Sequence, residues 1–89
     1  MRQEFEKILG EELRYLAIET RERLGLTQKA MGERLEMCES SYSDIETGRT
    51  TCGALTETLL LSMQERPEEF LDRVIKKFNK LREAAMQPL

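Results

Sequence analysis

The chain has 89 residues, enough for one domain around one core. Hydrophobic residues make up 39% and charged residues 35%, with a formal net charge of −3; this excludes a disordered chain and suits a small helical protein with solvated faces. There is no histidine and there are two cysteines, Cys38 and Cys52, which excludes histidine-dependent catalysis and a four-ligand Cys/His zinc site built from one chain.

Helix-favouring Leu, Glu, Arg and Met are frequent. Valine occurs once, and runs of β-branched or aromatic residues are missing, so strands are not expected. The first predicted helix runs from about Gln3 to Leu24. Phe5, Ile8, Leu9, Leu13, Leu16, Ala17 and Thr20 keep its period near 3.6 residues. Gly10 marks a break between a leader turn and the helix proper, and Gly25 ends the helix with a left-handed cap. Thr27 is the N-cap of a second helix over about 28–35. A turn around Glu36–Cys38 leads to a third helix over about 39–47, closed by Gly48. Thr51 caps a fourth, with Leu55, Leu59, Leu60 and Met63 on one side. Pro67 opens a fifth, running to Ala84 or Ala85, because a first-turn proline loses no hydrogen bond. Phe70, Leu71, Val74, Ile75, Phe78 and Leu81 form its apolar stripe, and the tail Met86–Leu89 is expected to fray. The stripe exceeds what a small core needs. Phe70, Val74, Ile75, Phe78 and Leu81 are therefore expected at a homodimer interface, the alternative being plain packing on helices 1 and 4. Residues 1–66 read as a leader with the central helices, and 67–89 as the helix that completes the same single domain.

The stretch 28–45 narrows the choice. Met31 with Leu35, and Tyr42 with Ile45, each share a helix face, and Met37 lies in the turn between them. Gly32 is minimal in size where the two short helices must approach. On spacing alone, an ordinary helical hairpin remains the alternative.

The segment GEELRYLAIETRERLGLTQKAMGERLEMCESSYSDIETG, Gly10–Gly48, resembles the Cro/repressor-type (XRE) helix-turn-helix family. The resemblance rests on Leu13-Arg14, on GLTQ at Gly25–Gln28, on Gly32, and on the run Ser43–Gly48. It implies an all-α, five-helix lambda-repressor-like domain that binds double-stranded DNA as a homodimer and regulates transcription. It also implies roles for individual residues. Helix 3 would lie in the major groove, with Cys38, Glu39, Ser40, Ser43 and Asp44 facing the bases. Thr27, Gln28, Arg49 and Thr50 would meet phosphates. Arg21 and Glu46 would form an internal ion pair.

The sequence departs from the family pattern at two places. Glu36 stands where such turns often carry glycine, at a cost of about 1 kcal/mol if φ is positive. Between Thr27 and Thr51, three basic residues face five acidic ones. A carboxylate at Glu39 can accept from cytosine N4, but it also repels phosphate. Basic support would come from Arg2, Lys7, Arg14 and the Arg73–Arg82 region. The acidity favours a second reading, a protein-interaction or antitoxin-like module on the same fold with a protein partner. No nucleophile–base pair, metal cluster or phosphate loop appears, so neither an enzyme nor a cofactor or metal is expected. Cys38 has no basic neighbour in sequence to lower its pKa and reads as a small helix-start residue. The longest apolar run, Tyr15–Ile18, is too short for a signal peptide or membrane span, so a cytoplasmic protein with reduced thiols is expected.

Overall fold

A computed structural model describes residues 1–86; the remainder of the expected frayed tail and of the 67–89 segment lies outside the described residues. Five α-helices follow one another: α1 Arg2–Leu24, α2 Gln28–Arg34, α3 Glu39–Thr47, α4 Ala54–Ser62 and α5 Pro67–Met86. The molecule is elongated, 50 × 27 × 19 Å. α1 is its spine and packs against α3, α4 and α5, while α2 and α3 pack mainly on each other.

Local signals set most boundaries. Gly25 takes φ 66° and Gly48 φ 80°, the left-handed caps that stop α1 and α3. Thr27 Oγ1 accepts from Ala30 N at 3.1 Å and so occupies an otherwise unpaired amide of α2. Glu36 has φ 58°, the one non-glycine residue in this region among the described residues. The turn between α2 and α3 therefore carries left-handed strain without a glycine.

Three expectations about the elements fail. α1 is continuous through Gly10. A Cβ there would stand 3.4 Å from the Thr51 methyl, an ordinary contact, so Gly10 lies beside the α3–α4 loop without breaking the helix. Thr51 does not cap α4; Gly53 does, through its backbone, because the chain stays extended for two residues beyond Thr51. Leu55 is 68% exposed, whereas Leu60 is fully buried. Five residues apart, the two lie about 140° apart around the helix, so α4 cannot bury both.

The core joins Leu13, Leu16 and Ala17 of α1 to Met31 and Leu35, Tyr42 and Ile45, Leu60, and Phe70 and Val74 of α5. Two of the five residues expected at a dimer interface, Phe70 and Val74, are thus consumed inside the protomer. Glu12 is buried within this apolar arc. It pairs with Arg73 at 2.9 Å and with Lys77, which clamps α5 to α1. Burial alone would raise the Glu12 pKa, but the two basic partners bring it below the ordinary carboxylate value. Further along, Phe5 and Phe78 meet edge-on with centroids 4.9 Å apart.

Gly32 marks the closest approach of α2 to the chain entering α3. A Cβ would lie 3.0 Å from the Met37 carbonyl oxygen and 3.2 Å from that of Cys38, both backbone atoms that cannot swing aside. We expect Gly32→Ala to lower stability by about 1–3 kcal/mol in urea unfolding; a gain in stability, as helix propensity alone would give, contradicts this reading.

Candidate nucleic-acid interface

α3 has two unlike faces. Tyr42, Ile45 and Glu46 point into the protein, and the outer side carries short polar groups. Cys38, Glu39 and Ser40 are exposed, and Ser43 and Asp44 are half-buried at the rim. The five positions expected to face bases therefore lie together at the start and along the outside of one helix. Thr47, missed in the sequence reading, continues the same line: 40, 43, 44 and 47 follow the helical period. That spacing was the available signal. The Thr47 hydroxyl donates to the Asp44 carbonyl at 3.2 Å.

The inner face is organised by Glu46, whose side chain is 8% exposed. Arg21 donates twice to it, from Nε at 2.6 Å to Oε2 and from Nη2 at 3.2 Å to Oε1. Gln28 Nε2 donates to Oε1 at 3.0 Å, and the Tyr42 hydroxyl donates to Oε2. Arg14 Nε donates to the Glu46 main-chain carbonyl at 2.6 Å. Residues of α1, α2 and α3 thus meet on one residue. Burial pushes the Glu46 carboxyl up, yet the bonds from Arg21, Tyr42 and Gln28 hold it below its ordinary range. Burial, and then the adjacent carboxylate, raise the Tyr42 phenol.

The expected phosphate-contacting residues fall into two groups. Arg49 is 79% exposed, with only a 4.0 Å approach to the Asp44 carboxylate, and Thr50 is exposed beside it. Thr27 is exposed at the start of α2, its oxygen already engaged as a cap. Gln28 is half-buried and turns its amide nitrogen inward to Glu46. Part of the basic support expected elsewhere is engaged in pairs, while Lys7, Lys76, Lys80 and Arg82 stay exposed. Arg14 serves Glu46, Arg73 and Lys77 serve Glu12, and Arg2 pairs with Glu6 at 3.1 Å. Glu33, Glu36 and Glu39 are exposed along with Lys29 and Arg34, so the outer surface of this helix pair stays acidic.

Cys38 departs from the expectation. Its sulfur lies 3.3 Å from Ser40 Oγ and 3.2 Å from Ser41 Oγ. Hydrogen bonds from these hydroxyls, with one from the Ser41 backbone, push the thiol pKa down to about 7. No basic side chain is needed, because hydroxyls and a helix N-terminus stabilise a thiolate equally in kind. Cys52 moves the opposite way, raised by burial.

Two short helices joined by a tight turn, the second with a polar outer face, have the form of the helix-turn-helix class. The family model described as a helix-turn-helix domain matches residues 8–68, and the chain belongs to that family. No curated protein and no solved structure matches the chain. No helix among the described residues is long and apolar enough to cross a membrane.

Three measurements check this site. Arg21→Ala leaves a buried carboxylate short of its main donor and is expected to cost about 3 kcal/mol by chemical denaturation; a loss of a few tenths contradicts the pairing. Because the Glu46 carboxyl binds its proton less tightly folded than unfolded, its contribution is complete at neutral pH. It is lost as pH falls through the carboxylate range, from about 4.5 downward, and Glu46→Gln is expected to flatten that acid limb. Iodoacetamide is expected to label Cys38 with a midpoint near pH 7 and well ahead of Cys52; equal rates at the two thiols contradict the assigned environments.

Proposed function

We propose that the protein is a sequence-specific DNA-binding transcriptional regulator of the XRE type, acting as a homodimer with α3 in the major groove. Family membership supports DNA as the ligand. The observation that carries the finer reading is the outer line of α3, where Ser40, Ser43, Asp44 and Thr47 offer short hydrogen-bonding groups at helical spacing. The Glu46 network supports it further. It fixes the start of α2 against α3, so amides at one helix end and side chains on the next meet a duplex in a set register. In this reading Cys38 and Glu39 join the base-facing group. Arg49, Thr50 and Thr27 meet phosphate with the backbone of Gln28, whose side chain acts by orienting the helix. The protein would work in the cytoplasm, without cofactor or enzymatic step.

The exposed Glu33, Glu36 and Glu39 favour a second reading, an interaction module whose acidic face meets a basic protein surface. Selection from random duplex DNA at moderate salt separates the two. A regulator enriches a defined site, and its affinity falls linearly in log–log terms as salt rises. Arg49→Ala should weaken binding to all sequences alike and reduce the salt slope by about 1, while Ser43→Ala should change the preferred bases. Glu39→Gln should raise affinity for non-cognate DNA. Failure to enrich any sequence at low salt would move the assignment to the interaction module.

A further inference from the structure

α5 presents a face that the protomer does not cover. Phe70 and Val74 are buried, and Arg73 and Lys77 reach back to Glu12. On another side Leu71 is 45% exposed and Ile75 51% exposed, and Phe78 is half-buried beside them. Glu68, Leu71, Ile75, Phe78 and Arg82 recur at steps of three, four, three and four residues. That is the seam spacing of two helices lying side by side.

The ends of this seam carry opposite charge. Glu68 and Arg82 each stand seven residues from Ile75, and both are exposed. Glu68 makes a 3.4 Å contact to exposed Arg66, and the Arg82 guanidinium lies 5.3 Å from the Phe5 ring centroid. The whole helix repeats the pattern. Glu68, Glu69 and Asp72 make its first turns acidic, and from Arg73 onward five basic residues face the single acid Glu83.

We propose that this seam docks a second copy of the chain, antiparallel, with Ile75 at the two-fold axis. Such a contact is self-complementary: Glu68 meets the partner's Arg82, and the symmetry repeats the pair. A parallel arrangement would set Glu68 against the partner's Glu68 and the basic halves against each other. The apolar positions supply the attraction, and the exposed charges set direction and register. The inference rests on the homodimer reading above and moves its interface around the helix, from Phe70, Val74 and Leu81 to Leu71, Ile75 and the open edge of Phe78.

The test is sedimentation equilibrium of the full chain over micromolar to submillimolar concentrations. Ile75→Glu sets two carboxylates together at the axis and is expected to weaken association about tenfold or more, with helicity kept, and with the melting temperature matching wild type at concentrations where both are monomeric, because Ile75 is exposed. Glu68→Arg and Arg82→Glu should each weaken it, and the double variant should recover it. In a Cys38→Ser/Cys52→Ser background, Ile75→Cys should form an oxidised cross-link between copies. A wild-type chain that stays monomeric throughout overturns both the dimer and this interface. A dimer that survives Ile75→Glu, ignores the charge exchange and gives no cross-link overturns this interface alone.

Discussion

The arrangement of the helix-turn-helix pair depends on one buried carboxylate. Glu46 sits near the end of α3 at the junction with α1 and α2. Taking an ionised carboxylate out of water costs several kcal/mol, and the cost is offset only when its lone pairs are filled with good geometry. Here Arg21 supplies a fork, Gln28 an amide and Tyr42 a hydroxyl. Each donor comes from a fixed place on its own helix. Satisfying the charge therefore fixes the three helices relative to one another, which apolar contacts alone define less sharply. No buried side-chain polar atom is left without a partner among the described residues, so this network is complete.

α1 carries that constraint across the molecule. Arg21 and Arg14 bind α3 from one stretch of it. Thr20 accepts from Gln64, just beyond α4, at 2.9 Å. Glu12 holds Arg73 and Lys77 of α5. At about 1.5 Å per residue, these points span much of the helix. A glycine break at Gly10 would have left Glu12 near a hinge; a continuous α1 makes the α5 clamp and the α3 lock parts of one rigid rod. The pairing of Arg73 and Lys77 with Glu12 has a cost at the surface, because cations paired with an internal carboxylate add less to the field outside.

Features whose cause is local were legible in the sequence. Gly25, Gly48, Thr27 and Pro67 act on their own backbone, and each stands where the pattern put it. Arg21 with Glu46 was legible only through the family resemblance, since 25 residues separate them. What failed depended on distant neighbours. α1 runs through Gly10, which lies beside Thr51 of the α3–α4 loop, and Thr51 does not cap because that loop runs on to Gly53. The Glu12 clamp was not foreseen, although an acid inside an apolar stripe and an i,i+4 pair, Arg73 and Lys77, are matching signs. The lowered Cys38 thiol was missed by looking for cations, when the serines two and three residues on, in the first turn of α3, were the relevant groups. The fold was therefore more readable than the site: the outer face of α3 followed from its period, while the roles on it depend on what else each side chain is holding.

The acidity of that face bears on how the proposed recognition works. Non-specific DNA affinity is almost wholly a matter of neutralised phosphates, and it rises with every free cation near the backbone. This protein turns Arg14, Arg21, Arg73 and Lys77 toward internal partners and keeps Glu33, Glu36 and Glu39 outside. In the proposed reading such a face adds little to non-specific affinity. Base contacts, by contrast, act at hydrogen-bond distance and lose little to a carboxylate elsewhere on the face. Weak general attraction lowers the competition from the many non-cognate sites, and the ratio of specific to non-specific binding decides occupancy more than affinity alone. The cost is that a single protomer has little hold on its site. Two protomers joined in a set register recover that hold, because the second engages at the effective concentration the first provides. The proposed reading face and the proposed α5 seam are thus complementary requirements: the weaker each half binds alone, the more an assembled pair gains from a geometry that lets both bind together.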